Sequence, residues 1–338
     1  MLGEERKSIS NGWRSVHSQK ATFQPLLITW IFGPITATLP TQGDEIWSVA
    51  SPPFLLLTWS AKLGVKSREA PMVEFSNPEG YELWMGRWSA RLAPAFVSFA
   101  DLPKGGHFLD VGSGTGALAA ALLEGVEDGT VIGIEPAESY VTYSRKRMRD
   151  KRLRFEQGDA LAISFEDDSF DGTLALLILQ ELPDTPKAVR EMRRVTRAGG
   201  CVAANQWHFE DGMPMLALFW DAVIEVVATD AAREAATDCM VVDYPNEDAL
   251  RQLWQAAGLV EVETQKHEID MTFASFADYW TPFLSNVSST SSYMGKLGTA
   301  EVREIKGRLC KIVVGDAPDR SFSLQAHAWA VRGKVPSQ

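Results

Sequence analysis

From about residue 92 onward the chain alternates compact apolar runs with stretches of helical periodicity. Leu92, Phe96, Val97 and Phe99 fall on one helical stripe, ended by Asp101-Leu102-Pro103-Lys104-Gly105-Gly106, which predicts a lead-in helix. Short runs at 107–111, 130–134, 153–157, 170–179 and 201–207 predict strands, and helices are expected over 115–123, 137–150 and 184–196 between them. The run 170–179 is apolar almost without interruption, which suits a strand buried on both faces at the centre of a sheet. The helix 184–196 turns Val189, Met192 and Val195 inward, with Gly199 and Gly200 as its glycine C-cap. Further on, the pattern predicts helices over 215–228 and 246–257, the second with Asn246 as N-cap, and strands over 259–268 and 321–331. Strand–helix alternation of this kind is a βαβ pattern and places the chain among α/β proteins with a parallel sheet.

Residues 1–71 read differently. Pro25, Pro34, Pro40, Pro52 and Pro53 interrupt every apolar run, and no period of two or 3.6 survives. The longest apolar stretch, around 26–39, contains Gly33 and Pro34 and falls short of the roughly 18–20 residues that span a bilayer. Glu4 and Glu5 stand where a targeting peptide carries a basic start. The expectation is a poorly ordered N-terminal extension over 1–71, translated from upstream of a natural start at Met72. The body is then 72–338, with cap insertions at about 208–245 and 269–320. The second insertion is rich in rings, at Phe273, Phe276, Tyr279, Trp280 and Phe283, which suggests either a cover over an apolar or aromatic acceptor or simple packing of the insertion.

Composition narrows the partners. With 45% hydrophobic and 23% charged residues the chain can build a sizeable core. A formal net charge of −11 disfavours nucleic acid and anionic membrane surfaces, so no nucleic acid partner and no stable membrane insertion are expected, and small molecules are the favoured substrates. The basic run from Arg145 to Arg154 reads as a solvated face on a helix end. Cys201, Cys239 and Cys310 are odd in number, widely spaced and lack a metal-ligand pattern, which suggests reduced thiols in a cytoplasmic protein and no metal.

The chemistry gathers at Phe108-Leu109-Asp110-Val111-Gly112-Ser113-Gly114-Thr115-Gly116-Ala117. An apolar strand ends in an acid, and a loop with glycine at every second position opens a small-residue helix. Such a loop brings backbone close to a ligand and presents the unpaired N–H groups of a helix start. Gly112, Gly114 and Ala117, with Glu135 some twenty residues on, also satisfy the dinucleotide fingerprint, so a nicotinamide cofactor stays open on these residues alone. The surrounding set separates the readings: Asp110 before the first glycine, Gly116 as a third glycine, Glu135-Pro136 ending the second strand, and Gly158-Asp159-Ala160 ending the third.

With Ser169-Phe170-Asp171 and Arg193-Arg194-Val195-Thr196-Arg197-Ala198-Gly199-Gly200, this text resembles the class I S-adenosylmethionine-dependent methyltransferases, in particular the ubiquinone/menaquinone C-methyltransferase-like group, from about Tyr81 to Arg332. The resemblance implies a Rossmann-like, doubly wound seven-strand sheet in the order 3-2-1-4-5-7-6, its last strand antiparallel, with a helical cap insertion. It also implies S-adenosyl-L-methionine as cofactor and a small-molecule methyl acceptor. By position, Asp110 and the loop Gly112, Ser113, Gly114 and Gly116 would line the methionine part. Glu135 and Pro136 would lie at the ribose, Asp159 and Ala160 at the adenine, and Leu176 and Gln180 toward the sulfonium. Tyr81, Arg87 and Trp88 would close over the cofactor, Arg87 pairing with its carboxylate.

Glu181 and His208, beyond the fourth and fifth strands, are the candidates to take a proton from an oxygen or carbon acid. Related sequences often carry a histidine pair where Gln180-Glu181 stand here, which loosens any transfer of a particular substrate. An NAD(P)-dependent oxidoreductase or a catalytically silent cofactor-binding protein are the alternative readings.

Overall fold

The structure, a computed structural model, describes residues 77–316 and 319–337. The expectations made for residues 1–71 lie outside the described residues. The chain enters through Asn77, whose side chain accepts the Gly80 N–H at 2.9 Å and caps helix α1 (Pro78–Tyr81). A π-helical turn, Glu82–Gly86, joins it to α2 (Arg87–Ala100). Then follow β1 (His107–Val111), α3 (Ala117–Gly125), β2 (Thr130–Glu135), α4 (Glu138–Arg147), β3 (Leu153–Gln157), β4 (Phe170–Leu176), α5 (Thr185–Val195) and β5 (Thr196–Trp207). The distal half comprises α6 (Pro214–Val227), α7 (Asp230–Met240), α8 (Glu247–Ala256), β6 (Val260–Phe273), α9 (Phe276–Trp280), α10 (Ser289–Met294), α11 (Thr299–Val313) and β7 (Phe322–Lys334).

The strands form one seven-stranded sheet in the order β3-β2-β1-β4-β5-β7-β6. The first five run parallel, and β7 is antiparallel to both β5 and β6. This is the doubly wound α/β arrangement expected from the sequence. β4 lies between β1 and β5 and is buried on both faces, as its unbroken apolar run requires.

Side-chain alternation along each strand divides the core in two. Phe108, Leu174, Ala203 and Trp207 pack toward α2, α3 and α6, whereas Leu109, Val111, Ala175, Val202 and Ala204 pack toward α5 and α8. Asp184 caps α5 by accepting the Lys187 N–H at 2.9 Å, and Asn246 caps α8 by accepting that of Ala249 at 3.0 Å.

Three local expectations change. Gly199 and Gly200 do not cap α5: the helix passes straight into extended backbone at Thr196, and the glycines lie in β5, where the pairing with β4 shifts register between Phe170 and Gly172. β4 stops at Leu176 rather than 179, because Leu177 takes a left-handed φ of 61° and turns the chain. Beyond it lies a 3-10 turn, Leu179–Glu181. The stretch 229–245, which has no clear pattern, contains α7, capped by Thr229.

The aromatic run of the second insertion is the core of the cap. Phe273, Tyr279 and Phe283 are fully buried, and Phe283 stacks on Phe219 of α6 at 4.3 Å. Trp84 meets Phe283 edge-on at 5.0 Å and Trp88 meets Phe273 at 5.1 Å, so these rings fasten the cap to the lead-in helix. Their burial favours the packing alternative over a wall facing an acceptor. Among the described residues, no helix is long and apolar enough to cross a membrane.

Candidate cofactor and active site

The site is built where β1, β2 and β4 end. Along β1 the alternation that sends Leu109 and Val111 to one face sends Asp110 to the other, toward the first turn of α3. Asp110 is 1% exposed, and neither carboxylate oxygen completes a well-formed hydrogen bond, although the Ala119 N–H of α3 faces it. Burial pushes its pKa up to about 8, the Ala119 N–H of α3 opposing the rise and Glu135 adding to it. Ser113 Oγ and Thr115 Oγ1, in the loop that follows, are likewise buried without partners. Buried polar atoms of this kind are costly unless something bonds to them.

The loop is held by backbone. The Gly112 and Ser113 N–H groups both donate to the Ile134 carbonyl at 2.9 Å, and Gly116 N–H donates to Ser113 at 2.8 Å. Gly112 has φ 69°, and a Cβ there would come within 2.7 Å of Ile178. At Gly114, φ 51°, an added Cβ would meet nothing within 4 Å, so the space over the loop is open. Ser144, fully buried on α4, donates to the Gly114 carbonyl at 2.9 Å, a support that carries no sequence motif.

Glu135 ends β2 and is 8% exposed. Its Oε2 accepts the Gly114 N–H and its Oε1 the Ala137 N–H, each at 3.1 Å. Burial raises its pKa, and these two N–H groups work against the rise. Each oxygen retains a lone pair, so the carboxylate can accept further bonds from a vicinal diol. Pro136, beside it, is exposed, and its carbonyl accepts from Gln157 at 2.9 Å. At the end of β3, Asp159 is exposed, with Oδ1 accepting the Leu161 N–H at 2.8 Å, while Ala160 is buried.

At the end of β4, Leu176 is buried, and the turn at Leu177 brings Ile178 against Gly112. A left-handed leucine is a strained conformation that the surrounding packing must hold. The Gln180 side-chain amide donates to the Leu177 carbonyl at 2.7 Å, and its Oε1 is buried without a partner. From the lead-in segment, Tyr81 stands edge-on to Tyr140 at 5.7 Å. Burial pushes its hydroxyl up to about 12, Ser89 opposing, with the Glu181, Glu135 and Glu82 carboxylates adding to the rise. Tyr81, Glu135 and Glu181 therefore lie within electrostatic reach of one another, and Asp110 within reach of Glu135.

Three residues singled out from sequence have partners within the protein. Arg87 is committed to the cap: Nη1 contacts Asp278 Oδ1 at 2.7 Å, Nη2 donates to the Asp278 carbonyl at 3.3 Å, and the guanidinium lies over Trp88 and Phe273. The guanidinium thus pairs with α9, whose position no local pattern near residue 87 reveals. Trp88 is buried in the same contact. His208 is drawn into a cluster with Asp211 and His327 where β5 and β7 pair. The basic run is largely occupied with the protein itself. Arg152 donates to the carbonyls of Leu123, Val126 and Glu127, Arg145 to that of Phe155, and Arg147 pairs with Glu82.

Unpartnered Asp110, Ser113 and Thr115 oxygens, an open glycine loop at a helix start and a carboxylate with spare acceptor sites fit a ligand that carries both an ammonium group and a ribose. Residues 109–204 match the methyltransferase domain family. The chain is 30% identical over 176 residues to a demethylmenaquinone methyltransferase of Roseiflexus castenholzii, covering 50% of this chain and 74% of that one. It is 27% identical over 228 residues to a ubiquinone/menaquinone biosynthesis C-methyltransferase of Paracoccus denitrificans, covering 64% and 87%. Among solved structures, a phosphoethanolamine N-methyltransferase of Haemonchus contortus aligns with a TM-score of 0.47 at 16% identity, over 78% of this chain and 58% of that one. The chain belongs to the class I S-adenosylmethionine-dependent methyltransferases, in the ubiquinone/menaquinone C-methyltransferase-like group, and S-adenosylmethionine is its cofactor.

Proposed function

We propose that the chain methylates a quinol, a phenol or a related apolar aromatic compound, with the cofactor held over the Gly112–Gly116 loop and Glu181 receiving the proton released by the acceptor. The observation that carries the cofactor half is the set of buried, unpartnered oxygens of Asp110, Ser113 and Thr115 beside Glu135. Support for the acceptor class comes from the quinone-biosynthesis methyltransferases among the relatives.

S-adenosylmethionine supplies a methyl group already activated on a sulfonium, so the protein's tasks are alignment, exclusion of water and removal of one proton. Asp110 accepts from the ammonium, and a cation beside it restores the ionised form that burial disfavours. Glu135 accepts from the ribose hydroxyls while still holding the Gly114 N–H. Asp159, its Oδ1 anchored by Leu161, offers Oδ2 to the adenine amino group. Tyr81 covers this pocket from the lead-in segment. Glu181 sits on the turn just past β4, exposed and close enough to Tyr81 to influence its hydroxyl, where it can take a proton from an acceptor entering beyond Leu176.

The test is a methyl-transfer screen over quinols, phenols and amines that follows S-adenosylhomocysteine formation. Turnover of a quinol or phenol is expected. Turnover confined to amines would overturn the acceptor class.

A further inference from the structure

Just past the carboxyl end of β5, three side chains of metal-ligating type converge on one point. His208 follows β5, Asp211 is in the turn after it, and His327 is on β7. His208 Nδ1 lies 2.6 Å from Asp211 Oδ1 and 3.0 Å from His327 Nε2, and His327 Nε2 lies 3.1 Å from Asp211 Oδ1. Two ring nitrogens and one carboxylate oxygen thus occupy the corners of a small triangle. Ligands held about 2.0–2.1 Å from a common zinc ion stand about 3.0–3.4 Å apart at octahedral to tetrahedral angles. The triangle has nearly that edge already. Hydrogen bonding alone satisfies it poorly. If both rings donate to Asp211, two N–H groups face each other across the 3.0 Å edge, and if one ring is turned to its other tautomer, one bond to the carboxylate is lost.

We propose that His208, Asp211 and His327 form a binding site for a divalent transition metal of the zinc type. The nitrogen-rich donor set disfavours Mg²⁺ and Ca²⁺, which prefer oxygen ligands throughout. The backbone preorganises the three ligands. His208 N–H donates to the His327 carbonyl at 3.2 Å, His327 N–H donates to the Gly212 carbonyl at 2.9 Å, and Gly212 N–H closes the turn on the His208 carbonyl at 2.7 Å.

Gly212 makes the approach possible, because a Cβ there would sit 2.5 Å from the His327 carbonyl oxygen and 2.7 Å from that of His208. The two imidazoles stack at 5.0 Å with their planes 28° apart, and the Nδ1 of one and the Nε2 of the other both come within 3.1 Å of Asp211 Oδ1. The ring side chains are 13% and 15% exposed, while Asp211 is 61% exposed, so the outer side is open to water as a further ligand. Glu268 pairs with His327 across β6 and β7, and Lys266 holds its carboxylate at 2.6 Å, so this neighbouring pair adds little net charge. The bound ion would tie the turn that leads into α6, the first cap helix, to the β5–β7 pair. This inference is independent of the acceptor.

The experiment uses the full, tag-free chain, freed of metal with a chelator and titrated with Zn²⁺ in competition with a chromophoric chelator, and with Co²⁺ followed by its visible absorption. One equivalent is expected to bind, and His208→Ala, His327→Ala and Asp211→Asn are each expected to weaken it by about tenfold or more. Asp211→Asn changes an exposed side chain with little risk to folding, and circular dichroism checks all three. Failure to bind one equivalent, or equal affinity in the wild type and in folded Asp211→Asn and His327→Ala chains, would overturn the assignment.

Discussion

Glu135 and Gly114 are joined across the site by a hydrogen bond of 3.1 Å, in which the carboxylate at the end of β2 accepts the N–H at the open centre of the glycine loop. One side chain therefore shapes the loop and keeps acceptor capacity for the cofactor. Glu135→Gln keeps the volume but loses the charge and one acceptor. It is expected to cost about 1–3 kcal/mol of stability, measured by urea unfolding, because one of the two part-buried N–H groups loses its partner.

Asp110 makes stability depend on pH. Its pKa rises from 3.8 to about 8 on folding, so the folded chain binds a proton that the unfolded chain releases. The resulting stabilisation is full below the unfolded value and is lost as pH rises toward 8. Glu135 is shifted in the same direction and adds to the slope. The cofactor-free Asp110→Asn chain should lose less stability between pH 5 and about pH 8 than the wild type, as read by thermal unfolding across that range.

The ion pair of Arg87 with Asp278 predicts a fault in the cap rather than in cofactor binding. Both side chains are about two-thirds buried or more, at 26% and 31% exposure, and the guanidinium also stacks on Trp88. Arg87→Ala is expected to cost about 1–3 kcal/mol in unfolding free energy. Its affinity for S-adenosylhomocysteine should match the wild type; a large loss of affinity without a stability change would restore Arg87 to the cofactor site.

Phe283, stacked on Phe219 and fully buried, should behave as a core residue. Phe283→Ala is expected to destabilise the chain by about 3–5 kcal/mol in chemical denaturation.

Glu181→Gln separates proton removal from binding. The expected result is a fall in kcat of about 10²–10⁴-fold with unchanged S-adenosylhomocysteine affinity. An unchanged kcat would mean that water takes the proton.

Much of this was legible in local sequence. The runs at His107–Val111 and Leu153–Gln157 became strands over those same residues, since both are short and bounded by turn residues, with Leu153 and Phe155 alternating with polar positions in the second. Asn246 caps α8 as its position before an amphipathic stretch implies. The acids at the strand ends favoured S-adenosylmethionine over a nicotinamide only when taken as a set, and the family assignment sets the second reading aside.

What local sequence did not reveal is non-local. Gly199-Gly200 carries a strong helix-stop signal, but the two residues bond to Val335, just past β7, and extend β5 instead. Leu177 is left-handed for reasons that lie in the packing around it. Arg87 finds Asp278 191 residues away, and His208 finds His327 119 residues away, separations at which no periodicity connects the partners.

The most direct test of the account is calorimetric titration of S-adenosylhomocysteine and of NAD into the wild-type and Glu135→Ala chains. The account predicts one S-adenosylhomocysteine site in the wild type, weakened by about tenfold or more in the variant, the equivalent of one hydrogen bond to a charged group, and no response to NAD. Equal S-adenosylhomocysteine affinity in the two chains, or binding of NAD in its place, would contradict it.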